Sequence, residues 1–91
     1  MVSVKLNQDL FEGCKEGNLE LVEKLLNNGA EAFYQDEATG VSVLMVASEN
    51  GHKDIVELFL ANGAPWNALD RNGKCAGEYA MQANHQDVVD L

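Results

Sequence analysis

The sequence predicts an all-α solenoid built from short helix–turn–helix units. The first observation is a pair of short amphipathic helices within residues 40–64. In its first helix, Leu44, Ala47 and Ser48 recur at the i, i+3, i+4 spacing that lines one helical face. In its second helix, the apolar residues within 55–60 form a stripe of the same period. Neither helix has enough apolar surface to be stable alone, so the unit needs neighbours.

The second observation is that the pair recurs on both sides of itself. A shift of 33 residues places His52 on His85, and a shift of 34 residues places 62–64 (Asn-Gly-Ala) on 28–30. The register changes by one because the turn at 36–40 is one residue longer than its later counterpart. Self-similarity at this period is typical of repeat architectures. We predict one domain over residues 1–91, with repeats at approximately 6–35, 36–69 and 70–91, the last one incomplete.

The first unit is predicted to contain an inner helix over 8–16, an outer helix over 19–27 and a hairpin-like loop over 31–39. Cys14 lies on the apolar face of the inner helix and corresponds to Ser48 of the middle unit. A small buried thiol fits that position better than a reactive nucleophile does.

Glycines separate and end the helices of the middle unit. Gly51 suits the turn between the two helices and Gly63 suits the C-terminal cap of the second one, because glycine adopts positive φ at little cost. In the last unit, residues 74–91, the second helix should continue by register for at least two apolar residues beyond Leu91. We therefore expect the chain to be a piece of a longer polypeptide rather than a minimal array with a frayed end.

These residues resemble the ankyrin repeat. The Gly-His turn at 51–52, the Asn-Gly-Ala at 62–64 and the hairpin segment at 67–73 match its pattern, and the likeness covers essentially the whole chain. It implies an all-α ankyrin-repeat solenoid of about two and two-thirds helix–turn–helix repeats joined by β-hairpin-like loops. The family's Thr-Pro-Leu-His opening is replaced at 42–45 and 75–78, so the resemblance also predicts weak helix starts there.

One stretch is more particular than a generic repeat. The run APWNALD at 64–70, followed by KCAGEYA at 74–80, is similar to the ankyrin segment that precedes the catalytic domain in fungal and plant arginine N-methyltransferases related to guanidinoacetate methyltransferase. That resemblance implies a Rossmann-like domain beyond this segment. It implies no cofactor residue in this segment, and S-adenosylmethionine only if the downstream domain exists.

Charge and cysteine usage limit which partners and which cellular compartment can be expected. The net charge of −9 argues against nucleic acid, whose binding depends on Lys and Arg at phosphates, and it allows a basic protein partner. Acids that merely solvate the outer helices are the other reading of this charge. Without an apolar run of membrane-spanning length or an apolar N-terminal signal, and with two cysteines far apart, we expect no membrane and a cytoplasmic or nuclear monomer.

No motif in the sequence predicts catalysis or a metal site. Phosphate-binding loops, nucleophile elbows and His-Glu-x-x-His patterns are missing. His52 and His85 occupy equivalent positions of stacked units, about 8–10 Å apart, which is too far to share a zinc ion. We expect them to cap turns through ring hydrogen bonds, and we expect this segment not to be an enzyme.

An ankyrin stack offers a concave face formed by its hairpin tips and inner helices, and we place the binding residues there. Arg71, the one arginine of the chain, is the first choice for a partner contact, since arginine is enriched at binding hot spots. Trp66 is assigned either to packing on the adjacent outer helix or to a downstream domain. The residues predicted to bind protein are Lys15, Glu16, Gln35, Glu37, Thr39, Val41, Glu49, Asn50, Trp66, Leu69, Arg71, Asn72, Lys74 and Gln82.

Two functions stay open from sequence alone. The first is a non-catalytic ankyrin module that regulates an arginine N-methyltransferase or positions its substrate. The second is a free-standing small ankyrin adaptor or inhibitor that binds a protein through its concave face. The nature of any polypeptide beyond Leu91 discriminates between them.

Overall fold

The computed structural model describes residues 3–89, which form six helices in three pairs. The helices are α1 (Ser3–Glu16), α2 (Leu19–Asn27), α3 (Val43–Glu49), α4 (Lys53–Ala61), α5 (Ala76–Gln82) and α6 (Gln86–Val89). The predicted all-α solenoid is confirmed. None of these helices is long and apolar enough to cross a membrane.

The first helix begins at Ser3 rather than at the predicted Gln8. Its extra turn is helical because Leu6 packs against the core and Asn7 is buried. Lys5 and Asp9 add an exposed i, i+4 pair at 3.7 Å, a spacing that supports a helix weakly.

The helices form two layers. The first helix of each pair (α1, α3 and α5, the inner helices) packs directly on the next, whereas the outer helices α2, α4 and α6 touch one another little. An open groove therefore separates α2 from α4, lined by Glu23, Leu26, Asn27, Leu58 and Asn62. Close inner helices and separated outer helices give the stack a concave inner side.

The core runs through the inner layer. All six residues from Val43 to Ser48 of α3 are buried, because α1 covers one side of this helix and α5 the other. From the outer layer, Ile55 and Phe59 of α4 are fully buried. Removing such a side chain from water contributes about 1.5–3 kcal/mol, which explains how seven- and nine-residue helices persist. Cys14 is fully buried on α1, as predicted.

Histidine rings connect successive pairs. The ring of His52 lies over Gly17 of the preceding turn, and its Nε2–H donates to the carbonyl oxygen of Lys15 at 3.1 Å. His85 lies over Gly51 in the same way. His52 makes no side-chain bond to the start of its own helix, and its ring hydrogen bond reaches the C-terminal end of α1 in the preceding unit instead. Its partner is in the preceding unit because the glycine leaves room for the ring.

Both helix starts carry a side-chain hydrogen bond despite their departures from the family pattern. The Ser42 hydroxyl accepts from the Met45 N–H at 3.0 Å, which caps α3. At α5 the Glu78 carboxylate reaches back and accepts from the Cys75 N–H at 3.2 Å. Each bond satisfies an amide that the first turn of a helix leaves without a backbone partner.

Replacing Gly17 with alanine should separate the effect of ring stacking from that of backbone strain. Gly17 has φ +73°, and an added Cβ would lie 2.5 Å from the His52 ring. Gly63 is the matched control, since it has φ +87° and open space around its Cβ position. Gly63→Ala should lower the free energy of unfolding by about 1–2 kcal/mol through the left-handed backbone alone.

Gly17→Ala should cost about 1 kcal/mol more than this, because the displaced His52 ring also loses its hydrogen bond. Urea unfolding of the two variants measures the difference. Equal losses would show that the ring contact contributes nothing.

Candidate protein-binding surface

The predicted concave face is built on two hairpin-like turns, over residues 35–42 and 69–74. In the first turn, the Asp36 N–H donates to Val41 O at 2.8 Å and the Gly40 N–H donates to Asp36 O at 2.7 Å. The Asp36 carboxylate also accepts from the N–H and the hydroxyl of Thr39, both at 3.0 Å. A single antiparallel bridge joins Gln35 to Ser42. The first turn is therefore stabilised by hydrogen bonds among its own residues.

Asp70 organises the second turn. Its Oδ1 accepts from the N–H groups of Asn72 and Lys74, at 2.8 and 2.9 Å, and its Oδ2 accepts from the Tyr79 hydroxyl. The bond from Tyr79 and those from the two amides hold the pKa of the Asp70 carboxyl below its usual value. Burial and the same bond raise the pKa of Tyr79 to about 12. The pair thus keeps a carboxylate and a neutral phenol at neutral pH.

The two turns are hydrogen-bonded to each other. The Arg71 N–H donates to Thr39 O at 3.0 Å, and the Arg71 guanidinium donates to Glu37 O at 2.7 Å from Nη2 and 3.2 Å from Nε. The Gln35 amide donates to Leu69 O at 3.2 Å. Gly40 permits this approach, since a Cβ there would lie 2.9 Å from the Arg71 nitrogen. We call the joined turns, taken together with the predicted contact residues at the C-terminal ends of the inner helices (15–16, 49–50 and Gln82), the hairpin surface.

Arg71 therefore has a structural task that sequence reasoning missed. It is exposed, as expected of a partner contact, but two of its guanidinium nitrogens are bonded to the neighbouring turn. An arginine held in one position loses little side-chain entropy when it binds. Arg71 stays a predicted contact, and substituting it would also loosen the link between the turns.

A small polar cluster lies between the second turn and α5. Lys74 Nζ donates to Gln82 Oε1 at 2.6 Å and lies 4.3 Å from the centroid of the Tyr79 ring. Because Tyr79 also donates to Asp70, the cluster connects the turn to the inner helix. Lys74 is half-buried, and its charge is directed to this cluster.

The structure exposes most of the predicted contacts and orders their polar groups. The exposed ones are Lys15, Glu16, Glu37, Thr39, Glu49, Asn50, Leu69, Arg71, Asn72 and Gln82, and the half-buried ones are Gln35, Val41, Trp66 and Lys74. The Asn50 amide turns back and donates to Val46 O at 2.8 Å. Within the described part of the chain, the carboxylates of Glu16, Glu37 and Glu49 accept no intramolecular hydrogen bond.

Trp66 lies in the segment between α4 and the second turn. Its ring packs against Gly77, where a Cβ would come within 3.3 Å of Trp66 Cζ2. Gly77 belongs to the inner helix α5, so the structure places this contact on an inner helix rather than on the adjacent outer one. The ring remains half-buried, and whether a downstream domain contacts it stays a prediction.

Sequence reasoning missed two exposed apolar side chains. Phe33 is 56% exposed at the start of the first turn, beside a narrow crevice that Pro65 and Ala68 help to line. Met81 is 61% exposed on α5. Phe33 lies in the predicted loop over 31–39, and the signal for Met81 is its alignment with the small residue Ser48.

Two features of the described residues bear on a possible nucleophile and a possible metal site. Burial raises the pKa of the Cys14 thiol to about 12, so it is not a thiolate nucleophile at neutral pH. No group of three or more His, Cys, Asp or Glu residues within 3–89 is arranged to hold a metal ion.

Comparisons with known proteins agree with this architecture. A family model described as ankyrin repeats (3 copies) matches residues 10–91. The chain is 38% identical over 78 residues to protein arginine N-methyltransferase 2 of Cryptococcus neoformans, a match that covers 86% of this chain and 22% of that protein.

Two other relatives come from another class of protein. The chain is 33% identical over 85 residues to human ARF GTPase-activating protein GIT1, a match covering 93% of this chain and 11% of that protein. It is 31% identical over 86 residues to Drosophila melanogaster ARF GTPase-activating protein Git, covering 94% and 12%. The chain therefore spans less than a quarter of the length of these relatives.

The Asp70–Tyr79 bond should give the second turn a pH dependence. Because the pKa of Asp70 is lower in the folded chain, its contribution to stability is full above pH 3.8 and is lost as pH falls through the folded pKa. Tyr79→Phe removes the donor, so the Asp70 pKa should rise toward 3.8 and the variant should be less stable at pH 7. The difference in stability between the unsubstituted chain and Tyr79→Phe should be smaller at acid pH.

Carboxyl NMR titration and urea unfolding at pH 7 and 3 measure these two effects. Tyr34→Phe is the matched control, since the Tyr34 ring packs on Phe11 with centroids 5.7 Å apart and its hydroxyl has no partner among the described residues. An Asp70 pKa that is unchanged in Tyr79→Phe would contradict the assignment.

Proposed function

This chain belongs to the ankyrin-repeat family, and we propose that it is the non-catalytic N-terminal segment of an S-adenosylmethionine-dependent protein arginine N-methyltransferase, which it regulates or whose substrate it positions. Ankyrin repeats make it a protein–protein interaction module. The hairpin surface carries the protein-binding part of this proposal, because its two turns are bonded to each other before any partner arrives. A surface ordered in advance binds without a further ordering cost.

The assignment to a methyltransferase is supported by the run at 64–80. Trp66 in its first part and Gly77 in its second part pack against each other, so the two parts of the run form one structural feature. The same run resembles the arginine N-methyltransferase segment, and the Cryptococcus neoformans relative is named for that activity. S-adenosylmethionine would be held by another domain, and no residue of this chain is assigned to it.

We propose a basic protein segment as the partner. Glu16, Glu37 and Glu49 project unbonded carboxylates from the inner-helix ends and the first turn, while the nearby Lys74 and Arg71 are bonded within the chain. The net charge of −9 acts in the same direction over longer distances. We place this monomeric module in the cytoplasm or nucleus, where its free thiols at Cys14 and Cys75 would persist.

The alternative is a free-standing ankyrin adaptor or inhibitor. It is favoured by the fact that the bonds joining the two turns all lie within this chain, so the surface needs no other domain to form. The relatives named as ARF GTPase-activating proteins also show that similar sequences occur in proteins named for a different activity.

The mass of the native polypeptide separates these proposals. An antibody raised against residues 1–91 would recover the protein from its source for mass spectrometry. We expect a mass several times 9.9 kDa, together with transfer of methyl groups to the internal guanidino nitrogen of arginine. A mass near 9.9 kDa would leave the adaptor, and a larger protein that activates ARF GTP hydrolysis without methyl transfer would also exclude the methyltransferase.

Paired charge variants test the hairpin surface. Glu37→Ala with Glu49→Ala should weaken binding of a fluorescent arginine-rich peptide by about three- to tenfold, since both carboxylates are exposed and belong to the proposed contact surface. The control, Glu23→Ala with Glu57→Ala, removes two exposed carboxylates from the outer helices and changes the net charge equally. Fluorescence anisotropy measures both. Equal weakening in the two pairs would mean that only overall charge attracts the peptide.

A further inference from the structure

The second and third helix pairs differ in what covers them. Within residues 3–89, the pair α3–α4 has a pair on each side, whereas α5–α6 has one on a single side. A position that is buried in the second pair and exposed in the third therefore marks the surface that a following repeat would cover. The shift of 33 residues identifies these positions, and we call the surface the end face.

The first such position is a turn residue. Gly51, at φ +72°, leaves room for the ring of His85, which would lie 2.5 Å from an added Cβ, and Gly17 receives His52 in the same way. Asn84 is the third-pair equivalent of Gly51, and it has the same left-handed backbone, at φ +64°. Because Asn84 carries a Cβ, the place that a following histidine ring would take is already occupied.

Two positions on α5 also carry residues that are less suited to burial than their equivalents on α3. Ser48 is fully buried, but its equivalent Met81 is larger and 61% exposed. Met45 is 1% exposed, but its equivalent Glu78 is a charged, exposed residue. Covering Glu78 would desolvate a carboxylate, and fitting Met81 into a space shaped for serine would overpack the interface. Each of these three differences between the second and third repeats opposes the stacking of a following repeat.

We infer that the array closes at its third repeat: the end face formed by Glu78, Met81 and Asn84 does not accept a fourth stacked ankyrin repeat. This inference is independent of the methyltransferase proposal, since it concerns only the geometry of stacking.

An extended chain tests the closure. Leu91 corresponds to Leu58, so a copy of residues 59–91 appended after Leu91 continues the repeat in register and brings a copy of His85 to Asn84. The same extension is made on a chain with Glu78→Met, Met81→Ser and Asn84→Gly, which restores the residues of the second repeat. The control for each extended chain is the unextended chain with the same end face.

Hydrogen exchange of the appended helices and the thermal midpoint report stacking. On the natural face, the appended amides should exchange as in an unstructured chain, and the midpoint should change by less than about 2 °C. On the restored face, their exchange should slow at least about tenfold, and the midpoint should rise by about 5 °C or more over the unextended control. Equal protection on the two faces, or no protection on either, would overturn the inference.

Discussion

The structure depends on the stacking of each helix pair on the one before it. The inner helices have seven residues in α3 and α5, too few to persist alone, and α3 buries six of its seven side chains only because helices lie on both sides. The ring of His52 packs over Gly17, and that of His85 over Gly51, at the contact between each pair and its predecessor. The rest of the architecture depends on this stacking.

The hairpin surface is a consequence of that stacking. Once the inner helices are stacked, the turn at 69–74 lies close enough to the turn at 35–42 for Arg71 and Gln35 to bond across the gap. The absence of a side chain at Gly40 is what allows the two backbones to meet. The proposed binding surface and the stability of the turns thus depend on the same contacts, so a substitution on this surface has to be checked for both effects.

Much of this was predictable from periodicity, because burial on a helix depends on spacing. The helix pairs, the buried Cys14 and the turn glycines all come from patterns in the chain. The partners of polar side chains were not predictable, because they depend on distances between units. His52 bonds the preceding unit, and Arg71 bonds a carbonyl rather than remaining wholly available. Sequence spacing specifies which face a residue is on, but not which atom it reaches.

The packing of Trp66 on Gly77 has a spectroscopic consequence. Trp66 is the one tryptophan of the chain, and it lies where the loop after α4 meets the start of α5. Its emission therefore reports on a single junction, between the second and third pairs, whereas far-ultraviolet circular dichroism averages over all helices. In an array whose pairs contact only their neighbours, the two signals coincide during unfolding only if the whole stack melts together. Comparing tryptophan emission with circular dichroism during unfolding therefore tests whether the three helix pairs unfold cooperatively.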